Sequence, residues 1–194
     1  MYWDYLAEKG CVMRVLLIEP PMQSIMLARA DWFPMGLAFL AGSAQREGHE
    51  VIIYNGEHDP NLGYLNLTTY SSNYHHYLSA LEDPAHSAWT KVSALMHDFK
   101  PDVVGITSFS VKWPSARRLA AVAKDYNPRT PVVMGGQHVT IMTDDALSDR
   151  NIDFVVKGEG ERTFVDFLSQ VGGDQRWETV AGLSFKQNGQ HVHN

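Results

Sequence analysis

The 194-residue sequence contains a single cysteine, Cys11. One cysteine excludes an internal disulfide framework, and it excludes any zinc or iron–sulfur site built from cysteines of this chain. A chain that uses so little cysteine fits a reducing compartment, so we expect a cytoplasmic protein.

Long hydrophobic runs and clusters of basic residues are also missing. The longest apolar stretches, such as M-G-L-A-F-L-A-G, are much shorter than a membrane span. The first residues, M-Y-W-D-Y-L-A-E-K-G, lack the basic and apolar regions of a secretory signal. The formal net charge is -6 and no run of Lys or Arg occurs. We therefore expect neither a membrane nor a nucleic acid as a partner.

Short apolar runs alternate with segments of helical periodicity. The hydrophobic fraction of 44% is enough for one sizeable core. Strands that are apolar on both faces, separated by helices, indicate a mainly parallel sheet covered on both sides. We predict a doubly wound, Rossmann-like (flavodoxin-like) α/β fold with five to six strands and helices on both faces. The predicted strands are 15–18, 51–54, 103–106, 131–134, 154–156 and 182–186.

We expect one domain over residues 13–186, preceded by an extension over 1–12 and followed by a tail over 187–194. Residues from about 55 to 86 are polar, rich in Tyr, Asn and His, and weakly periodic. They are expected to be an irregular insertion, which in a compact domain is functional or poorly ordered.

Ligands of such sheets bind at the carboxyl ends of the strands, so the residues after each strand are the candidates. Glu19 to Ser24 follow the first strand and contain Pro20, Pro21 and Gln23 but no glycine. A dinucleotide site needs G-x-G-x-x-G at this point and a P-loop is also glycine-rich, so both are excluded. The prolines predict a stiff loop with few N–H donors.

Hydroxyl side chains follow the third strand. The segment Thr107 to Val111 contains Thr107, Ser108 and Ser110. These groups either cap a helix or face a polar, uncharged ligand. A phospho-receiver domain would have its acceptor Asp where Thr107 stands, so that class is disfavoured.

Glycines follow the fourth and fifth strands. Gly135 and Gly136 permit positive φ and close approach of a bulky ligand, or simply form a tight turn. The segment Gly158 to Glu161 carries two carboxylates at a predicted helix start, which disfavours phosphate binding there. His138 is interpreted as a hydrogen-bonded structural residue, and the other histidines lack zinc-site spacing. We predict no metal ligand.

The ordered motifs at the strand ends resemble a known family. They are V-L-L-I-E-P-P, P-M-G-L-A-F-L-A-G, K-P-D-V-V-G-I-T-S-F-S, P-V-V-M-G-G-Q-H-V-T and D-F-V-V-K-G-E-G-E-R-T-F, followed by G-L-S-F. From about Met13 to Phe185 the sequence is similar to the N-terminal B12-binding domain of radical-SAM enzymes. That group includes the anaerobic magnesium-protoporphyrin monomethyl ester cyclase and many methyltransferases.

The resemblance implies that cobalamin lies across the carboxyl edge of the sheet. Its nucleotide tail would pass near Ser108, Ser110, Gly135 and Gly136, and the turn at 158–161 would close the rim. Cobalamin is rich in amides and hydroxyls, which suits glycine, hydroxyl and carboxylate groups. The residues expected to contact it are Pro20, Pro21, Gln23, Thr107, Ser108, Ser110, Val111, Gly135, Gly136, Gln137, His138, Gly158, Glu159, Gly160 and Glu161.

Two departures from the family pattern shape the functional expectation. The D-x-H-x-x-G motif, whose histidine binds cobalt in other B12 proteins, is replaced by E-P-P-M-Q-S. The C-x-x-x-C-x-x-C motif is absent, so a [4Fe–4S] cluster and S-adenosylmethionine are expected only in a catalytic domain in cis that is missing here. The chain is then expected to be a fragment without activity of its own, with a stand-alone accessory module as the other option. Alternatives are a degenerate scaffold that contacts a partner domain, and a flavodoxin-like small-molecule-binding protein.

Overall fold

The computed structural model of the chain describes residues 12–29, 32–64 and 66–194. The expected N-terminal extension lies outside these residues, apart from Val12. No helix among the described residues is both long and apolar enough to span a membrane.

A seven-stranded sheet forms the centre of the described chain, with strand order β2-β1-β3-β4-β5-β6-β7. The first five strands in this order are parallel, and β6 and β7 continue the sheet in antiparallel pairing. The strands are β1 Arg14–Glu19, β2 Glu50–Asn55, β3 Val103–Thr107, β4 Val132–Gly135, β5 Phe154–Val156, β6 Leu183–Gln187 and β7 Gln190–His193. The predicted α/β, doubly wound class is confirmed, and the sheet has one strand more than the upper prediction.

In the described part of the chain, seven α-helices accompany these strands. They are α1 Met35–Arg46, α2 Leu67–Glu82, α3 Ser87–Phe99, α4 Trp113–Tyr126, α5 Gln137–Ile141, α6 Thr143–Ser148 and α7 Glu161–Val171. Short 3-10 turns cover Ser110–Lys112 and Trp177–Thr179.

Alternation along the strands divides the core into two layers, because successive side chains of a strand point to opposite faces. Leu16 and Ile18 of β1 belong to the cluster that packs under α2, α3, α4 and α6. Val15 and Leu17 belong to the cluster under α1 and α7. Both faces of β1 are fully buried, as a parallel sheet between helices requires.

The stretch expected to be irregular contains a helix. Asn66 caps α2 by accepting a hydrogen bond from Thr68 N at 2.9 Å. The helix is largely polar and exposed, and it is anchored by Tyr77 and Ala80, which are both buried. Because so few of its side chains are buried and apolar, this helix lacks the clear apolar stripe from which a helix is predicted in a sequence. Within the expected tail, residues 190–193 form β7.

Candidate functional site

A cleft opens at the carboxyl edge of the sheet, between α1 and α7, with a cavity of about 160 Å³. We call it the edge cleft. Its lining combines strand-interior positions, helix positions and the turns after β3, β4 and β5. The lining residues are Leu17, Gly36, Leu37, Leu40, Gly105, Ile106, Thr107, Val133, Met134, Gly135, Gly136, Val156, Gly158, Glu159, Gly160, Glu161 and Phe164.

Gly105 forms the floor of the edge cleft. It lies within β3 and is in register with Leu17 on one side and Val133 on the other. A Cβ atom at this position would lie 2.7 Å from Leu17 Cδ2. Glycine here leaves a gap in the layer of side chains that otherwise covers the sheet. The cavity therefore reaches down to the strand itself.

Gly160 keeps one wall of the edge cleft open. A Cβ atom at this position would lie 3.2 Å from Leu40 Cδ2 and 3.3 Å from Val156 Cγ1. Leu40 and Val156 both line the cavity. A larger side chain at position 160 would therefore occupy space that belongs to the cleft.

Gly136 fixes the turn after β4. Its φ of +99° is in the region that favours glycine, and a Cβ atom would lie 2.8 Å from the Ser108 carbonyl oxygen. Ser108 N donates to the Gly135 carbonyl at 2.9 Å, and His138 N donates to the Ser108 carbonyl at 3.1 Å. These bonds hold the loops after β3 and β4 against each other at the mouth of the cleft.

The polar side chains of the edge cleft belong to its mouth. Thr107 ends β3, and Glu159 and Glu161 follow β5. No Lys or Arg occurs among the described residues that line the cleft. An apolar interior with hydroxyl and carboxylate acceptors at the entrance suits a ring system that carries hydrogen-bond donors, and it offers no cationic cradle for phosphate.

The structure brings seven of the fifteen expected contact residues into the lining and leaves eight outside it. The seven are Thr107, Gly135, Gly136, Gly158, Glu159, Gly160 and Glu161. The other eight lie beyond the cavity, in the segments that follow β1, β3 and β4, including the 3-10 turn at 110–112 and the start of α5. They are Pro20, Pro21, Gln23, Ser108, Ser110, Val111, Gln137 and His138.

His138 is held by side chains that follow β3. Its Nδ1 lies 3.1 Å from Ser110 Oγ, and its ring centroid lies 4.5 Å from that of Trp113. Its Nε2 is buried and has no hydrogen-bond partner among the described residues. Within those residues, no group of three or more His, Cys, Asp or Glu is arranged to hold a metal ion.

A buried charge cluster, which no sequence pattern predicts, is formed by Lys112, Glu19 and Glu57. Lys112 Nζ lies 2.5 Å from Glu19 Oε1 and 2.8 Å from Glu57 Oε1, and all three side chains are almost fully buried. Glu57 Oε2 accepts hydrogen bonds from Met22 N at 3.1 Å and Ser24 N at 3.0 Å. Burial raises the pKa of Glu19, while the Lys112 ammonium acts in the opposite direction.

This Lys112 cluster ties together the segments that follow β1, β2 and β3. Lys112 Nζ also lies 4.3 Å from the ring centroid of Trp32, a cation–π distance. Nearby, Ser115 Oγ lies 2.6 Å from the Pro21 carbonyl and 2.8 Å from the Tyr77 hydroxyl. The loop after β1 is therefore held in place by buried contacts. Residues 20–29, which include this loop, contain no histidine.

The chain is similar in sequence to a known domain family and to several known proteins. Residues 25–168 match the family described as the B12 binding domain. The chain is 32% identical over 181 residues to an uncharacterized methyltransferase of Pyrococcus horikoshii, covering 92% of this chain and 34% of that protein. It is 30% identical to the anaerobic magnesium-protoporphyrin IX monomethyl ester cyclase of Rubrivivax gelatinosus, covering 82% of this chain and 24% of that protein.

A solved structure has the same fold. It is the radical S-adenosylmethionine methyltransferase TsrM of Kitasatospora setae, determined with cobalamin and a [4Fe-4S] cluster bound. The TM-score is 0.65 at 18% identity, over 94% of this chain and 31% of that one. The chain thus spans about a third or less of the length of each of these three proteins.

Proposed function

The chain belongs to the B12-binding domain family, and we propose that it holds cobalamin across the carboxyl edge of its sheet, with the nucleotide tail in the edge cleft. The observation that carries this proposal is the cavity over Gly105, which is open to the edge and closed by the sheet. Bound cobalamin supplies a cobalt centre that can carry a methyl group or electrons.

The edge cleft has room for one aromatic ring of a base. An apolar protein cavity of about 150 Å³ accommodates a benzene molecule, and the edge cleft has about 160 Å³. Leu37, Leu40 and Phe164 offer apolar walls to the base, and Gly105 lets it approach the sheet. The ribose would remain at the mouth, where Thr107, Glu159 and Glu161 offer acceptors to its hydroxyl groups, and the phosphodiester would lie farther out, in solvent.

The corrin ring would lie above the loops that follow β1, β3 and β4. Of the eight expected residues that lie outside the cleft, Pro20, Pro21 and Ser108 are buried, so only the other five could contact the ring. Val111 is 64% exposed and Gln137 is also exposed, so both are available to a ligand above the sheet. The carboxylates of Glu159 and Glu161 can accept hydrogen bonds from the amide groups at the ring periphery.

Dialysis of the purified chain against hydroxocobalamin tests the proposal. We expect one equivalent of corrin, measured by its visible absorption, to remain with the folded protein. A chain with intact circular dichroism that retains no corrin would overturn the assignment.

We also propose that the domain serves a larger radical-SAM enzyme with a catalytic domain in cis. Support comes from the two relatives named above, a methyltransferase and a cyclase, of which this chain matches only 34% and 24%. The [4Fe–4S] cluster and S-adenosylmethionine would bind in that second domain. Reading the gene beyond the codon of Asn194 tests this: a C-x-x-x-C-x-x-C cluster in the same frame is expected, and a stop codon directly after it would refute the arrangement in cis.

A further inference from the structure

The interior of the edge cleft lacks side-chain hydrogen-bonding groups. Apart from Thr107 at the end of β3 and Glu161 at the start of α7, the lining positions within strands or on the facing helices carry glycine or apolar side chains, among them Leu17, Leu37, Leu40, Gly105, Val133, Val156 and Phe164. Thr107, Glu159 and Glu161 stand at or beyond the strand ends, at the mouth. Polarity is therefore confined to the entrance.

The backbone of the floor is engaged in the sheet. Gly105 lies in the middle strand of three, paired in parallel with β1 through Leu17 and with β4 through Val133. Its strand is hydrogen-bonded on both sides, so its amide and carbonyl groups belong to the ladders. A polar ligand atom at this depth therefore finds no hydrogen-bond partner, either in a side chain or in the backbone of the floor.

A base that enters such a cavity puts the edge remote from its ribose at the floor. The 5,6-dimethylbenzimidazole of cobalamin ends in two methyl groups there, whereas adenine, which is linked to the ribose through N7 in this cobamide, has the acceptor nitrogens N1 and N3 along that edge. Burying an acceptor without a partner costs free energy, and burying a methyl group releases it. The two bases are close in size, so their polarity separates them.

We propose that the edge cleft selects among cobamides by the polarity of the lower base, accepting bases with a hydrocarbon edge and disfavouring adenine. This inference rests on the proposed function, because it requires the nucleotide tail to occupy the cleft. Leu40 and Gly105 are the residues that determine the specificity: Leu40 provides an apolar wall, and Gly105 gives access to the floor.

Equilibrium dialysis with four corrinoids of the same upper ligand tests the inference. They are cobalamin, the adenine-containing cobamide, the phenol-containing cobamide and cobinamide, which has no nucleotide. We expect the adenine form to bind at least about tenfold more weakly than cobalamin, which corresponds to 1.4 kcal/mol. The phenol form, whose ring contains no nitrogen, should bind within about threefold of cobalamin, and cobinamide should bind the most weakly.

The outcomes separate this inference from the proposed function. If cobalamin and the adenine form bind equally, the selectivity is refuted while cobalamin binding stands. If the phenol form binds as weakly as the adenine form, shape and not polarity decides, and the inference is also refuted. If cobinamide matches cobalamin, the tail lies elsewhere. If no corrinoid binds, the proposed function itself fails.

A matched pair of variants at Leu40 provides a second test. Gln and Met have nearly the same length and shape, so Leu40→Gln and Leu40→Met differ mainly in polarity. Leu40 is only half-buried, so either side chain can be accommodated. We expect Leu40→Gln to reduce the preference for cobalamin over the adenine form at least about threefold, and Leu40→Met to retain it. Equal preferences in the two variants would count against a polar mismatch at this wall.

Discussion

Lys112 and Glu19 are 93 residues apart in the sequence, and their charged atoms lie 2.5 Å apart in the protein interior. The same ammonium lies 2.8 Å from a carboxylate oxygen of Glu57. One cation, from its position after β3, therefore pairs with two buried carboxylates: Glu19 is the last residue of β1, and Glu57 follows β2. The packing of three segments at the carboxyl edge therefore depends on the single side chain of Lys112.

Replacing Lys112 should destabilise the fold. Lys112→Met leaves Glu19 and Glu57 buried without a counter-ion, and breaking a buried ion pair in this way costs about 3–5 kcal/mol. Urea unfolding followed by circular dichroism measures the loss. The control is Lys91→Met on the exposed surface of α3, which should stay within about 0.5 kcal/mol of the unmodified chain. A loss below about 1 kcal/mol for Lys112→Met would contradict this account of the cluster.

The titration of Glu19 should appear in the pH dependence of stability. Burial raises its pKa above the ordinary 4.5, so the folded chain holds this proton more firmly than the unfolded chain. Its contribution is fully present below that value and is lost as the pH rises through the raised pKa. The free energy of unfolding of the unmodified chain should therefore fall relative to that of Glu19→Gln from about pH 4.5 upward.

Urea titrations at several pH values measure this difference. Glu82→Gln, an exposed change in α2, is the matched control and should leave the slope unaltered. A difference between the unmodified chain and Glu19→Gln that stays constant or grows with pH is incompatible with a raised pKa.

The hydroxyl pair behind the loop after β1 should respond asymmetrically to deletion. Ser115 has one hydroxyl hydrogen, which goes to the Pro21 carbonyl, so the Tyr77 hydroxyl donates to Ser115 Oγ. Ser115→Ala leaves two buried groups unsatisfied and should cost about 2–4 kcal/mol, whereas Tyr77→Phe removes one donor and should cost about 1 kcal/mol. Equal losses in thermal or urea unfolding would show that the bonds are arranged differently.

Patterns that repeat locally were visible in the sequence. The runs V-L-L-I and V-I-I-Y are apolar on both faces, and they became the adjacent parallel strands β1 and β2. The glycines and carboxylates of 158–161 could be assigned to a strand end, and they do lie at the mouth of the edge cleft. These inferences worked because a strand and its following turn are contiguous in the chain.

The sequence patterns did not predict the features that depend on tertiary packing. Gly105 lies inside a strand, whereas the predicted ligand groups all lie at strand ends or after them, although a glycine inside a strand is itself a signal of close approach. Glu57 and Lys112 are 55 positions apart in the numbering of the chain, and no spacing rule pairs them. The helix α2 was missed because its apolar contacts are few, so tertiary packing decides its structure.

The most direct test of the central claim compares the binding of hydroxocobalamin by two glycine variants. Gly160 has an ordinary φ of -95°, so Gly160→Leu can adopt the native backbone while its side chain enters the edge cleft between Leu40 and Val156. Gly42→Leu adds the same side chain to α1 where no atom lies within 4 Å of the new Cβ. With both variants folded by circular dichroism, we expect Gly42→Leu to bind as the unmodified chain does and Gly160→Leu to bind at least about tenfold more weakly. Equal affinity in the two variants would contradict placement of the nucleotide tail in this cleft.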